Sequence, residues 1–183
     1  MSDATDHAPV ETLAVDLERL SRDLLHRFQR EAHRTGGTTV RMGSVVKLGR
    51  SVERWLHATL LWLGATDGFE PETKLRALDP QSPGLGRATA GKIAKTLLAC
   101  AESSSASRPE ITILLEDLRA KSASRVWKLI NTRNDVVHGG KPPFAILGPC
   151  GDVATLLREQ RHAAGWPWIA DIGDLKERHS AAP

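Results

Sequence analysis

Tyrosine is absent from this chain of 183 residues, and cysteine, methionine and phenylalanine occur only two, two and three times. The two cysteines, Cys100 and Cys150, stand far apart without metal-ligand spacing. They therefore offer neither a disulfide framework nor a thiolate metal centre, and they predict reduced thiols in a cytoplasmic protein. Long apolar runs are missing too. No stretch approaches the roughly 18 consecutive apolar residues of a membrane span, and the acidic first residues contain no apolar segment of signal-peptide length. The expectation is a protein that keeps away from membranes. Strong charge of one sign is also lacking: 25 Lys and Arg against 22 Asp and Glu leave +3, with a pI near 9.1. That weak basic bias is compatible with RNA and does not demand it.

What remains is an ordinary globular composition, 40% hydrophobic and 26% charged. The length suits one full core and is short for two. The five Trp residues carry no functional inference by themselves.

The apolar residues follow helical spacing almost throughout, and the fold expected is an all-α bundle of four or five helices. From Glu11 to about Arg34, Leu13, Leu17, Leu20, Leu24, Leu25 and Phe28 recur at three and four, with acids early and bases late, which predicts an amphipathic helix that packs on the bundle, extends a dimer or binds a partner. His26 and His33 on it have no acidic or cysteine companion to make a metal site. Val45 to about Ala65 has a wide apolar face from Val45 to Leu63, with Glu53, Arg54 and His57 on the remaining side. If an acid assists a site from another helix, Glu53 is the first candidate, a solvated surface carboxylate being the commoner outcome for such a residue. Asp67-Gly68 closes this helix, and the proline-punctuated stretch Phe69 to Leu85 predicts a loop around one turn at Glu72 to Leu78.

Gly86-Arg87-Ala88-Thr89-Ala90-Gly91-Lys92 spells a phosphate-binding loop up to its last letter. The next residue is Ile93 where magnesium requires Ser or Thr, and no buried strand precedes it, so the segment predicts a helix start running through Ile93, Leu97 and Leu98 to Ala101. A serine-rich linker at Ser103 to Ser107 comes next. Pro109 and Glu110 then open a helix through Ile111, Leu114, Leu115 and Leu118, which Lys121 to Ser124 interrupts or bends. Beyond Lys141, Phe144 to Leu147 predicts an extended segment and Asp152 to about Ala164 a short helix capped by Asp152. Trp166-Pro167-Trp168-Ile169 forms an apolar patch able to cover the bundle or dock a partner. The organisation expected is a tail and amphipathic helix over 1–44, a bundle over 45–140 and an extension over 141–183.

The most informative stretch is Arg133-Asn134-Asp135-Val136-Val137-His138-Gly139-Gly140. Val126, Leu129, Ile130, Val136 and Val137 place it on a core-facing helix, and Gly139-Gly140 with Pro142-Pro143 stop that helix just after His138. Asn134 and His138, four apart, share a face, so the amide is able to steer the imidazole. Arg133 and His138, five apart, are separated by about 140° and roughly 7.5 Å of rise. They converge only if two such helices pack about a twofold axis, because an isologous interface repeats every contact. Basic residues in a last helical turn also suit the helix dipole whatever the function, and Asn beside a Gly-Gly stop is ordinary capping chemistry.

Arg133, Asn134 and His138, on an apolar helix that ends in two glycines, resemble the signature of the HEPN superfamily of all-helical domains: an arginine, commonly followed by Asn or Asp, with a histidine four to six residues on. The resemblance extends loosely from about Val45 to Gly140. It implies metal-independent RNA cleavage in a homodimer, without a cofactor, leaving a 2′,3′-cyclic phosphate and a 5′-hydroxyl, in a bacterial toxin or phage-defence setting where a regulatory or antitoxin protein is a further partner. His138 would be general base or acid, since imidazole exchanges protons near neutral pH. Arg133 would hold the phosphate with its planar fork and offset charge in the transition state. Lys128 and Arg125, with Lys121, make the region basic and are the candidate substrate-binding residues. The alternative is a HEPN-like module that binds RNA or a partner without cutting. Where the toxin branch often has a tyrosine two residues after the histidine, this chain has Gly140, which excludes control by modification there.

Overall fold

The computed structural model describes residues 40–104 and 107–165. Within them the chain forms six α-helices joined by short 3-10 turns, and no strand: α1 Met42–Asp67, α2 Pro71–Leu78, α3 Ala90–Ser103, α4 Thr112–Arg119, α5 Arg125–Val137 and α6 Leu147–Ala164. No helix among the described residues is long and apolar enough to cross a membrane. The helix expected at residues 11–34 and the tryptophan patch at 166–169 lie outside the described residues.

α1 is the central helix because its apolar stripe is wide enough to be covered from several sides. Val45, Leu48, Val52, Trp55, Leu56, Leu60 and Leu63 are buried along it, and its main neighbour is α3, followed by α5. Trp55 is fully enclosed, so truncating it to Ala would cost about 3–5 kcal/mol. In the stretch after Asp67, expected as a loop around one turn at Glu72 to Leu78, that turn is a helix over Pro71–Leu78. Pro71 opens an eight-residue helix, a position where its missing N–H is harmless. Glu72 then ties that helix forward, accepting a 2.7 Å hydrogen bond from the Leu85 N–H.

The break predicted between α4 and α5 is a 3-10 turn, Lys121–Ala123, and Asp117 determines how α5 starts after it. Its buried carboxylate accepts hydrogen bonds from the Ser124 hydroxyl (2.6 Å) and from the backbone N–H groups of Arg125 and Val126 (3.0 Å each). Ser124 is the N-cap of α5 and accepts from the Trp127 N–H. The orphan donors of a helix start are thereby satisfied from the preceding helix.

Two expectations about the C-terminal segment need correction. Phe144 to Leu147 is not extended: Pro143–Ile146 is a 3-10 turn leading directly into α6. α6 begins at Leu147, five residues before the expected cap at Asp152, and tolerates Pro149 in its first turn. Its Leu147, Cys150, Val153, Leu156 and Leu157 join the same apolar cluster as α1 and α5. Fully buried Gln160 pins it to the start of α4, accepting from the Ile113 N–H and donating to the Pro109 carbonyl.

Candidate functional site

α5 carries the Arg133–His138 stretch, and each residue lands according to its place on the helical wheel. Val136 faces the core and is 1% exposed. His138 is the C-cap, with φ −92° and ψ 9°, and its ring is solvent-exposed. The helix stops there because Gly139 turns to φ 79°, a region open to glycine at no steric cost. The Gly140 and Lys141 N–H groups close back on the Asp135 carbonyl at 2.7 and 3.3 Å, and the Lys141 ammonium pairs with the Asp135 carboxylate at 2.9 Å.

Arg133 points the other way. Its guanidinium lies on α1 at Gly49, so close that a Cβ built on that glycine would sit 2.5 Å from Nε and 3.2 Å from Nη2. Nε is buried there without a hydrogen-bond partner. Nη1 donates to the Asn134 Oδ1 at 3.0 Å. Among the described residues no carboxylate lies within 4 Å of the guanidinium. Asn134 is therefore engaged with its neighbour Arg133. Its link to His138 is through the backbone, where the His138 N–H donates to the Asn134 carbonyl at 3.0 Å.

Arg133 and Asn134 line a small cavity of about 40 Å³ between α1, α3 and α5. Leu48, Val52, Leu129 and Ile130 form its apolar wall, and Glu53 and Thr89 join the two polar side chains at its edge. Glu53, the acid favoured from sequence, thus lines the same cavity as Arg133 without pairing with it. His138 does not line it.

The two candidate substrate-binding cations differ in their surroundings. Arg125 is held by two carboxylates, Asp117 at 3.1 Å and Glu159 at 2.7 Å. Partial burial works against its charge, but the hydrogen bonds to Glu159 and Asp117 prevail and hold the guanidinium above its ordinary pKa. Its position is that of a clamp between α4, α5 and α6. Lys128 is exposed and, seven residues before Asp135, shares a helix face with that acid more than with Arg133.

Lys92, at the end of the glycine-rich segment, sits in the first turn of α3 and pairs with Asp79 at 2.5 Å. This leaves no nucleotide-binding loop geometry. Neither cysteine offers a nucleophile: burial pushes the Cys100 thiol up and the Cys150 thiol to about 12. Two features escape a reading of the sequence, Gly49 as the seat of Arg133 and Asp117 as the cap of α5. The only hint of the first is a glycine inside an otherwise apolar helical stripe. Compared with protein-family models, curated proteins and solved structures, the chain matches none.

Proposed function

We propose that the chain is a metal-independent endoribonuclease that works as a homodimer, cutting RNA to a 2′,3′-cyclic phosphate and a 5′-hydroxyl. The observation that carries the reading is the end of α5. There an exposed imidazole at the C-cap accompanies an arginine whose fork has no carboxylate partner among the described residues. An arginine left unneutralised beside a cavity is available to an anion, and a solvent-facing imidazole is available for proton transfer. His138 moves the proton between the ribose 2′-hydroxyl and the leaving 5′-oxygen, Arg133 binds the phosphate, and Asn134 fixes the plane of the guanidinium. A toxin or phage-defence role, with a regulatory or antitoxin protein as partner, accompanies this chemistry as part of the same proposal.

The non-catalytic reading has its own support, since Nε of Arg133 is packed out of solvent on Gly49 in the manner of a structural arginine. One assay separates the two. Purified protein is incubated with mixed RNAs in EDTA, alongside Arg133→Ala and His138→Ala, and the ends of the products are identified. The expected loss for His138→Ala is about 100- to 10,000-fold, with thermal unfolding unchanged. Equal cleavage by all three proteins removes the catalytic assignment, and RNA retention without cyclic phosphate supports the binding module.

A further inference from the structure

The outward face of the N-terminal half of α1 carries a row of cations. Lys47, Arg50 and Arg54 fall within about 60° of one another on the helical wheel and span about 10 Å of helix. All three are exposed, as is Arg41 at the N-cap. A cation at a helix N-terminus opposes the dipole, yet Arg41 is the N-cap, makes no side-chain capping bond, and the first turn of α1 contains no acid. Nor are these charges neutralised by any described residue. Among the described residues none of the four has a carboxylate within 4 Å, although Glu53 follows Arg50 by three positions, where a pair is able to form. Arg76, Lys92, Arg108, Arg125 and Lys141 are, by contrast, each matched with an acid.

The same helix seats Arg133 at Gly49. On the wheel Gly49 lies about 100° from Arg50, with Glu53 between them. A polyanion lying along the stripe therefore reaches the Arg133 cavity by passing round one side of α1. We infer that Arg41, Lys47, Arg50 and Arg54 form the track on which a single-stranded RNA backbone approaches the Arg133 site. The identity of the partner rests on the endoribonuclease reading, and the geometry of the ridge does not.

The test is the salt dependence of binding to a 2′-O-methyl oligoribonucleotide, which lacks the attacking hydroxyl and is not cut. Each phosphate contact contributes about 0.7 to the slope of log affinity against log salt for single strands. Replacing Lys47, Arg50 and Arg54 by Gln should lower that slope by about 2. From about 50 to 200 mM salt, wild type then loses roughly twenty-fold more affinity than the variant. A control variant with Lys74, Lys95 and Arg158 changed to Gln removes the same charge from other exposed positions and should keep the wild-type slope. Equal slopes for the two triple variants, or wild-type protein that does not bind the oligonucleotide even at low salt, overturn the proposal; an acidic protein that competes with no RNA binding present does the same. Stripe-dependent binding combined with no cleavage of ordinary RNA leaves the track standing and removes the ribonuclease. Cleavage with indistinguishable triple variants does the reverse.

Discussion

Replacing Gly49 by Ala sets two effects of known size against each other. An alanine inside a helix is worth up to about 1 kcal/mol over glycine, because it loses less backbone entropy on folding. The new methyl, however, would stand 2.5 Å from Nε and 3.1 Å from Cζ of Arg133, inside ordinary contact distance, so the guanidinium must move outward by about 1 Å. That displacement disturbs the 3.0 Å bond to Asn134, worth about 1 kcal/mol. It also returns the unpartnered Nε toward water, which offsets part of the loss. The atoms in the way belong to the far end of a flexible side chain and not to backbone, so the fold survives. Net stability should change by less than about 1 kcal/mol in either direction.

The site should not fare so well, and the two readouts separate. RNA cleavage by Gly49→Ala should fall at least ten-fold in kcat with the melting temperature nearly unchanged. In an Arg133→Ala background the three atoms nearest the methyl are gone, so the same substitution should raise Tm by roughly 2–4 °C for a domain of this size. Because Nε is buried, the Arg133 side-chain N–H should exchange more slowly in wild type than in the alanine variant. An identical Tm increase in both backgrounds would refute the reasoning, since it would mean that Arg133 does not occupy the space over Gly49.

Asp117→Ala removes a buried acceptor of four hydrogen bonds, three capping α5 and one from the Arg125 side chain. It should cost about 3 kcal/mol or more and lower Tm in thermal denaturation, whereas Glu159→Ala, which loosens only the outer arm of the Arg125 clamp, should cost under about 1 kcal/mol. Glu72 supplies a pH dependence. The Leu85 N–H and then Arg76 hold its carboxyl below the ordinary value of 4.5. The group binds protons less readily folded than unfolded, so its contribution is fully present above that value and is lost as pH falls through the lower folded one. The stability gap between wild type and Glu72→Gln in urea titrations should therefore be constant at neutral pH and close in acid; a gap that widens on acidification would contradict the assignment.

Much of this architecture is legible in the sequence because helices bury stripes. The rows Val45 to Leu63 and Val126 to Ile130 carry the period that only a half-covered helix needs, and Gly139-Gly140 marks a stop with a stereochemical cause. Less legible is anything that depends on two helices meeting. Arg125 reads as a free cation until the fold brings Asp117 and Glu159 to either side of it. The seat of Arg133 depends on what Gly49 lacks, and a missing side chain leaves little trace in a sequence beyond a locally poor helix former. Phe144 to Leu147 reads as extended because aromatic and branched residues favour strands, while Pro142 and Pro143, which read as a terminator, in fact start the turn into α6.

The directions taken by Arg133 and His138 carry the last consequence. α5 is one continuous helix from Arg125 to Val137, so its ends do not bend to bring the two side chains together. With Arg133 committed to α1 and His138 about 140° round and 7.5 Å further along, a single copy has difficulty placing both on one phosphate. In the proposed homodimer a twofold axis near the end of α5 would resolve this by pairing the arginine of one copy with the histidine of the other. Complementation is the consequence of that arrangement. Arg133→Ala and His138→Ala, each inactive alone, should regain activity when unfolded and refolded together, because a mixed dimer contains one site with both groups intact. Random assortment makes half of the dimers mixed and half of their sites whole, so about a quarter of wild-type cleavage should return. Refolded mixtures that form mixed dimers yet stay inactive would place both groups of each working centre on the same chain, and the symmetry argument would fail.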